Sequence, residues 1–480
     1  MNSFFDRLKK NLLHFSSYYF LDLRALSLMR IGVALIVLCD LIIRAQDLSA
    51  LYTNAGIWPL HILKNFGWQP GFWSLHCLYG SYAWEVLLFS LHGVFALFLL
   101  FGYQTKLSTL FVWLLTISLQ NRNIFILQAG DDQLRLILFW GLFLPWNACY
   151  AIDSRHTQQK KISLIGNFGY LFLIASVYAF TVLLKTDKEW TSEGSAIYYA
   201  LSLDQIKLPL GDLLYRFPSL MKTLTYLVFI IESIVPILIL WPSKKGKLRL
   251  TAFCLLLLLH LSIGLTMYVG LFFIISSVSA IGLIPSLAMD WIEKKFRLKS
   301  KEHSAETTEQ SWYTPFTASF GTLVILLCLL LNLSTVPWFN YELKSELNYP
   351  VNALRLNQFW GMFSPGILKT DGWFVYHGMD SIGRQWDLRL NQDYVDYKKP
   401  AHIVSMYRND RWRKLAENMQ RDKYTFLRPL YGRYYLHQWN LHHPEKQIPS
   451  MNLYFMEKEN LSDYKSTKPK KILLCVSYDN

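Results

Sequence analysis

"LIGNFGYLFLIASVYAFTVLLKTDKEW", residues 164–190, decides the fold. About twenty residues pass without a charge, the length an α-helix needs to cross the roughly 30 Å hydrocarbon core of a bilayer. Lys185, Asp187, Lys188 and Glu189 then arrive together, followed by Trp190. The helix therefore stops at a membrane surface, and Lys185 stands at the exit. A lysine in that place commonly snorkels its amine to the headgroups. The functional alternative is a general base, because a lysine sheds its proton near neutral pH only where burial penalises the ammonium form. Asp187 and Glu189 oppose that shift if they pair with Lys185 directly.

Working outward, the composition agrees with a membrane protein. Charged residues make up 17% of the 480-residue chain and hydrophobic residues 52%, whereas soluble domains carry about 25% charge. Mean hydropathy is +0.20. The pattern predicts a polytopic α-helical membrane protein with about nine transmembrane helices: 24–44, 83–102, 105–120, 132–149, 163–184, 223–241, 248–267, 269–289 and 315–336. A tight turn around Tyr268–Gly270 has to separate the seventh and eighth. Residues 1–23 read as an amphipathic, basic, interfacial N-terminus without a cleavable signal. Residues 24–339 form the membrane domain, and 340–480 a small extracytoplasmic α+β domain. In that domain "GWFVYHGMDSIGRQWDLRL" (372–390) reads as two strands around a turn, 408–440 as helix divided at Pro429, and "NLYFMEK" and "KILLCVSY" as two more strands.

The net charge of +14 is dispersed in clusters between apolar runs, the form of orientation signals and not of a nucleic-acid-binding face. Basic residues mark every second connection: Arg7, Lys9 and Lys10; Lys106; Arg155, Lys160 and Lys161; "SKKGKLR" (243–249); and "EKKFRLKSK" (293–301). The positive-inside rule then puts the N-terminus in the cytoplasm and the C-terminal domain outside the cell's inner (cytoplasmic) membrane. The outer loop 185–222 breaks the bias with Lys185, Lys188, Lys207, Arg216 and Lys222. The polar stretch 299–312 reads as a cytoplasmic linker. The cysteines lie singly with no metal-ligand spacing, so no metal is expected; Cys77 and Cys475 alone are candidates for a disulfide.

Ionisable groups inside spans are expensive, so they pair, line a wet cavity or serve a function. Asp40 lies near the outer end of the first span. In "QAGDDQLRLILFW" (128–140), Asp131 and Asp132 precede Arg135 by four and three residues and can pair with it on one helix face. Glu232 sits mid-span one turn before Pro236; it is either neutral or paired with His260 on the next helix. Arg30 reads as a snorkelling or packing residue near the cytoplasmic side.

These motifs suggest a family. "LLKTDKEWTSEGSAIYYAL" (183–201) resembles the segment of vitamin K-dependent gamma-carboxylases in which a lysine is followed by aspartate two positions on and tryptophan five positions on. "HLSIGLTMYVGLFF" (260–273) is similar to their histidine-led span. "QNRNIFILQAGDDQLRLILFWGLFLP" (120–145) and "QFWGMFSPGILKTDGWFVYHG" (358–378) resemble the bacterial HTTM-domain branch. The resemblance implies that Lys185 is the catalytic base, with His260 and Asp132 as further catalytic groups and Arg135, Asp131, Asp187, Trp190 and Glu232 in support. It also implies a reduced vitamin K or menaquinone-type quinol, oxygen, and an extracytoplasmic protein substrate whose glutamate is carboxylated. The animal enzymes carry a histidine where this chain reads "GDDQLRL", and no histidine lies between His92 and His156. The alternative is a non-catalytic maturation, immunity or binding factor of the same fold. A transporter would call for inverted repeats or paired broken helices, neither of which is evident.

Overall fold

The computed structural model describes residues 17–155, 164–297 and 315–479. Most of the interfacial N-terminus, Lys160 and Lys161, and the 299–312 linker lie outside the described residues. The membrane domain is built from α1 (Leu23–Ala45), α2 (Tyr82–Phe101), α3 (Thr105–Arg122), α4 (Ala129–Gly141), α5 (Leu164–Leu184), α6 (Pro218–Leu240), α7 (Lys247–Thr266), α8 (Phe272–Ser279), α9 (Ser286–Phe296) and α10 (Pro315–Ser334). Six of these are long and apolar enough to cross a membrane: α1, α2, α5, α6, α7 and α10. The pair formed by 272–283 and α9 is bent by 108° and makes a seventh if counted as one span.

The expected third and fourth spans exist as helices of another kind. α3 is lined by buried Thr109, Thr116, Ser118, Gln120, Asn121 and Arg122, polar groups that bond within α3, to Asp131 and Arg135 of α4, and to the loop before α2. α4 has 13 residues and is about 20 Å long at 1.5 Å per residue, shorter than the hydrocarbon core. Lipid-facing positions lie on the outer helices, where Ile237, Leu258 and Leu323 are 57%, 60% and 63% exposed. Between α7 and α8 the chain turns at Met267–Leu271, as expected. Gly270 there has φ +58, and a Cβ on it would collide with Asp410 of the C-terminal domain.

That domain has a four-stranded antiparallel sheet in the order β2-β1-β3-β4, from β1 (Thr370–Met379), β2 (Gln385–Asp387), β3 (Ser450–Glu459) and β4 (Lys470–Tyr478), with α11 (Asp410–Gln420) and α12 (Leu427–His442). Asp380 closes the β1–β2 turn by accepting the N–H groups of Ile382 (3.0 Å) and Arg384 (2.8 Å). The helical break falls before Leu427, and Pro429 sits in the first turn of α12, where its missing N–H costs nothing. Asn409 caps α11 through Arg411 N–H (3.0 Å), which aims the Arg411 side chain at the membrane domain.

Candidate functional site

Lys185 directly follows α5 and is 4% exposed, so its amine does not reach for headgroups. It lies 2.5 Å from Glu232 Oε2 on α6 and 3.8 Å from the centroid of the Trp190 ring. Burial lowers the Lys185 pKa below the usual lysine range, and the Glu232 carboxylate opposes that shift. Pro236 has no N–H for the Glu232 carbonyl, so the helix is loosened where the carboxylate is presented.

A strap, residues 355–369, is tied to the residues that flank this pair. Arg135 donates to the carbonyls of Arg355 (2.6 Å) and Asn357 (2.7 Å). Thr181 donates to Trp360 O (3.0 Å) and Trp190 Nε1 to Phe363 O (2.9 Å). Asp187 N–H reaches Pro365 O at 3.2 Å. Glu189 accepts from Ile367 N–H (2.8 Å) and pairs with Lys369 (2.9 Å). The Glu189 carboxylate is thus spent on the strap and not on Lys185. Three of the motifs read from the sequence meet here: the lysine segment, "GDDQLRL" and "QFWGMFSPGILKTD".

His260 does not take Glu232. Its Nε2 is 2.6 Å from the Tyr178 hydroxyl on α5, two turns before Lys185, while Phe272 packs edge-on at 5.5 Å. His260 Nδ1 is buried without a partner among the described residues.

Asp131 and Asp132 part company. Asp132 pairs with Arg135 at 2.9 Å. Asp131 faces the other way, towards Arg44 (2.6 Å) and Arg411 (2.5 Å). Asp40 meets the same two guanidiniums, each at 2.7 Å. The four groups close a buried square of alternating charge, to which Arg44 adds the Tyr52 hydroxyl at 2.8 Å. A cavity of about 10 Å³ lies beside it, lined by Asp40, Arg44, His92, Thr116 and Gln120 among others, with room for about one water. Arg44 was not singled out from the sequence, although its place one turn after Asp40 is a local pairing signal. Arg411, on the C-terminal domain, had no local signal.

One further feature escaped the sequence reading, and of the two roles read for Arg30, snorkelling or packing, the structure shows the second. His76 Nδ1 lies 2.5 Å from Glu85 Oε2, both fully buried; burial lowers the His76 pKa to about 3. Arg30 does not snorkel: it is fully buried and donates to the carbonyls of Trp146 (3.0 Å), Tyr150 (2.7 Å) and Leu100 (3.0 Å), closing the C-terminal end of α2. Cys77 and Cys475 are both free thiols. Among the described residues no three His, Cys, Asp or Glu side chains are grouped to hold a metal.

No protein-family model matches the chain, and no curated protein or solved structure is significantly similar to it. The family resemblance rests on the motifs themselves.

Proposed function

We propose that the protein is an outward-facing enzyme of the cytoplasmic membrane, akin to the vitamin K-dependent gamma-carboxylases, with Lys185 as its base. The observation that carries the reading is a buried amine on an aromatic ring, with one carboxylate partner, at the end of a span. The topology expected from the charge bias is compatible with it. An odd number of crossings, such as the seven obtained when the bent pair is one span, is what chain ends on opposite sides would require.

The groups around Lys185 match a lipid-soluble quinol in chemistry: an amine to take a hydroxyl proton, the Trp190 ring to lie against, and His260 with an unpartnered Nδ1. A bound quinol would supply the reducing power for reaction with oxygen. Lys185 would accept the hydroxyl proton, Glu232 would hold the resulting ammonium, and the strap would exclude water. Protein glutamate is the substrate that the resemblance implies.

The test compares purified wild type with Lys185→Ala, each given reduced menaquinone, oxygen and labelled bicarbonate. The proposal expects quinol oxidation to fall at least about 100-fold in the variant, the usual weight of a general base, and label to enter protein only with Lys185 present. Equal quinol consumption by both removes the base. A second reading, a non-catalytic maturation or binding factor, is favoured by the complete matching of charge in the Asp–Arg square; it expects Lys185→Ala to change stability alone.

A further inference from the structure

β4 is an edge strand, and among the described residues nothing pairs with its outer side. The parity of the ladder gives its outward groups. Asp479 N–H donates to Pro449 O at 3.1 Å, and Ser477 and Cys475 pair with Met451 and Leu453. The peptide groups of Val476 and Tyr478, between them, therefore point away from β3.

Side chains make the edge specific. Cys475 and Ser477 turn inward, the thiol donating to Arg428 O at 3.2 Å on α12. Leu473, Val476 and Tyr478 are 49%, 41% and 60% exposed. Lysines on a strand edge ordinarily discourage pairing, but here they are confined to one end: Lys465, Lys468, Lys470 and Lys471, all exposed. Lys471 lies over the rings of Tyr397 (3.9 Å) and Tyr454 (4.0 Å), and no ion pair involves the other three among the described residues. The remaining seven residues of the strand carry no charge.

We infer that the β4 edge binds an extended, acidic segment of a partner polypeptide, which adds a fifth strand to the sheet. Main-chain hydrogen bonds would supply the affinity, and the apolar side chains with the basic end would set the choice and direction of the segment. A second copy of this chain fits less well. Antiparallel self-pairing would set the lysine end of each copy against the Tyr478 end of the other, where the carboxylate at hand is Asp479. That group already accepts from Asn440 at 2.5 Å. The inference holds whether or not Lys185 is a base.

The experiment uses the full chain in nanodiscs and a fluorescein-labelled peptide with a glutamate run before alternating valine and threonine, beside a twin with lysines replacing the glutamates. Anisotropy should show binding of the acidic peptide and not of its twin. Lys468→Glu with Lys470→Glu should reverse that preference. Val476→Pro, which removes an outward N–H, should weaken binding by about threefold to tenfold, the effect of one hydrogen bond. Equal binding of both peptides by wild type overturns the proposal. So does unchanged selectivity in the double lysine variant, which alters exposed side chains only and keeps the test decisive if Val476→Pro fails to fold. Dimerisation through β4 that excludes the acidic peptide would assign the edge to a second copy instead.

Discussion

The Asp40–Arg44–Asp131–Arg411 square and the Lys185–Glu232 pair both bury opposite charges in the membrane domain, but they are completed differently. In the square each carboxylate meets two guanidiniums and each guanidinium two carboxylates. The planar, forked donors of arginine suit such closure. Among the described residues Lys185 has one carboxylate and one ring, leaving ammonium valence unspent. A closed set of charges is a clamp; an open one can exchange a proton. The square also joins α1, α4 and α11, so it ties the C-terminal domain to the membrane helices, whereas the lysine pair joins two neighbouring spans.

The largest effect should come from opening the square. Arg411→Met leaves Asp40 and Asp131 sharing Arg44 in a buried site, and breaking such a set costs about 3–5 kcal/mol. Denaturant unfolding of the protein in detergent should show that loss, with protease cutting the C-terminal domain first. Asp40→Asn should cost less in the Arg411→Met background than alone, because the two changes act on one network. Additive losses would mean that the square is two independent pairs.

The lysine pair should behave in the opposite way. Lys185→Met leaves Glu232 without its partner and should cost about 1–3 kcal/mol of stability. Adding Glu232→Leu should recover most of that, since an apolar pair of similar volume replaces a buried ion pair at little cost. The double variant would then be stable and inactive. A stable double variant that still consumes quinol would end the distinction between clamp and catalytic pair.

Much of this architecture was readable from uninterrupted apolar runs. α1, α2, α5, α6, α7 and α10 announce themselves because lipid demands apolar faces, and the strand pair around Asp380 shows its turn residues. α3 and α4 were harder. An interior helix answers to its protein neighbours, so Gln120 bonds Asp131 and Arg135 of α4 there, and Arg122 a loop carbonyl, although both spoil a hydropathy window. The site divides on the same line. Lys185, Glu232, Asp131 and His260 were each legible as charges or polar groups that a membrane makes expensive. Their partners were not, because contacts across 47 residues (Lys185–Glu232) or 280 residues (Asp131–Arg411) leave no local pattern. Asp131 was expected beside Arg135 on helical spacing; its side chain instead projects towards α1, while Arg135 serves Asp132 and the strap.

A third cluster, between Asp204 of the loop 185–222 and the C-terminal domain, sharpens the comparison through pH. Asp204 meets Lys458 (2.7 Å) and Lys399 (2.6 Å), which hold its carboxyl well below the usual range although burial opposes them. Asp371, fully buried, accepts Asp204 N–H at 2.9 Å; burial first, and the Asp204 charge second, push its pKa up to about 6. The two carboxylates therefore act on stability with opposite sign. Asp204 contributes stability above the unfolded carboxylate pKa of about 4, lost as pH falls below it. Asp371 is favoured in its protonated form, so its contribution is complete below about pH 4 and is lost as pH rises to about 6. Asp371→Asn keeps a carbonyl acceptor for the Asp204 N–H and removes the ionisation. It should raise the unfolding free energy by about 2–3 kcal/mol at pH 7 relative to wild type, and by nearly nothing at pH 4. A variant whose advantage is the same at both pH values would show that Asp371 loses its proton at the same pH in the folded protein as in the unfolded chain, and that burial beside Asp204 does not shift it.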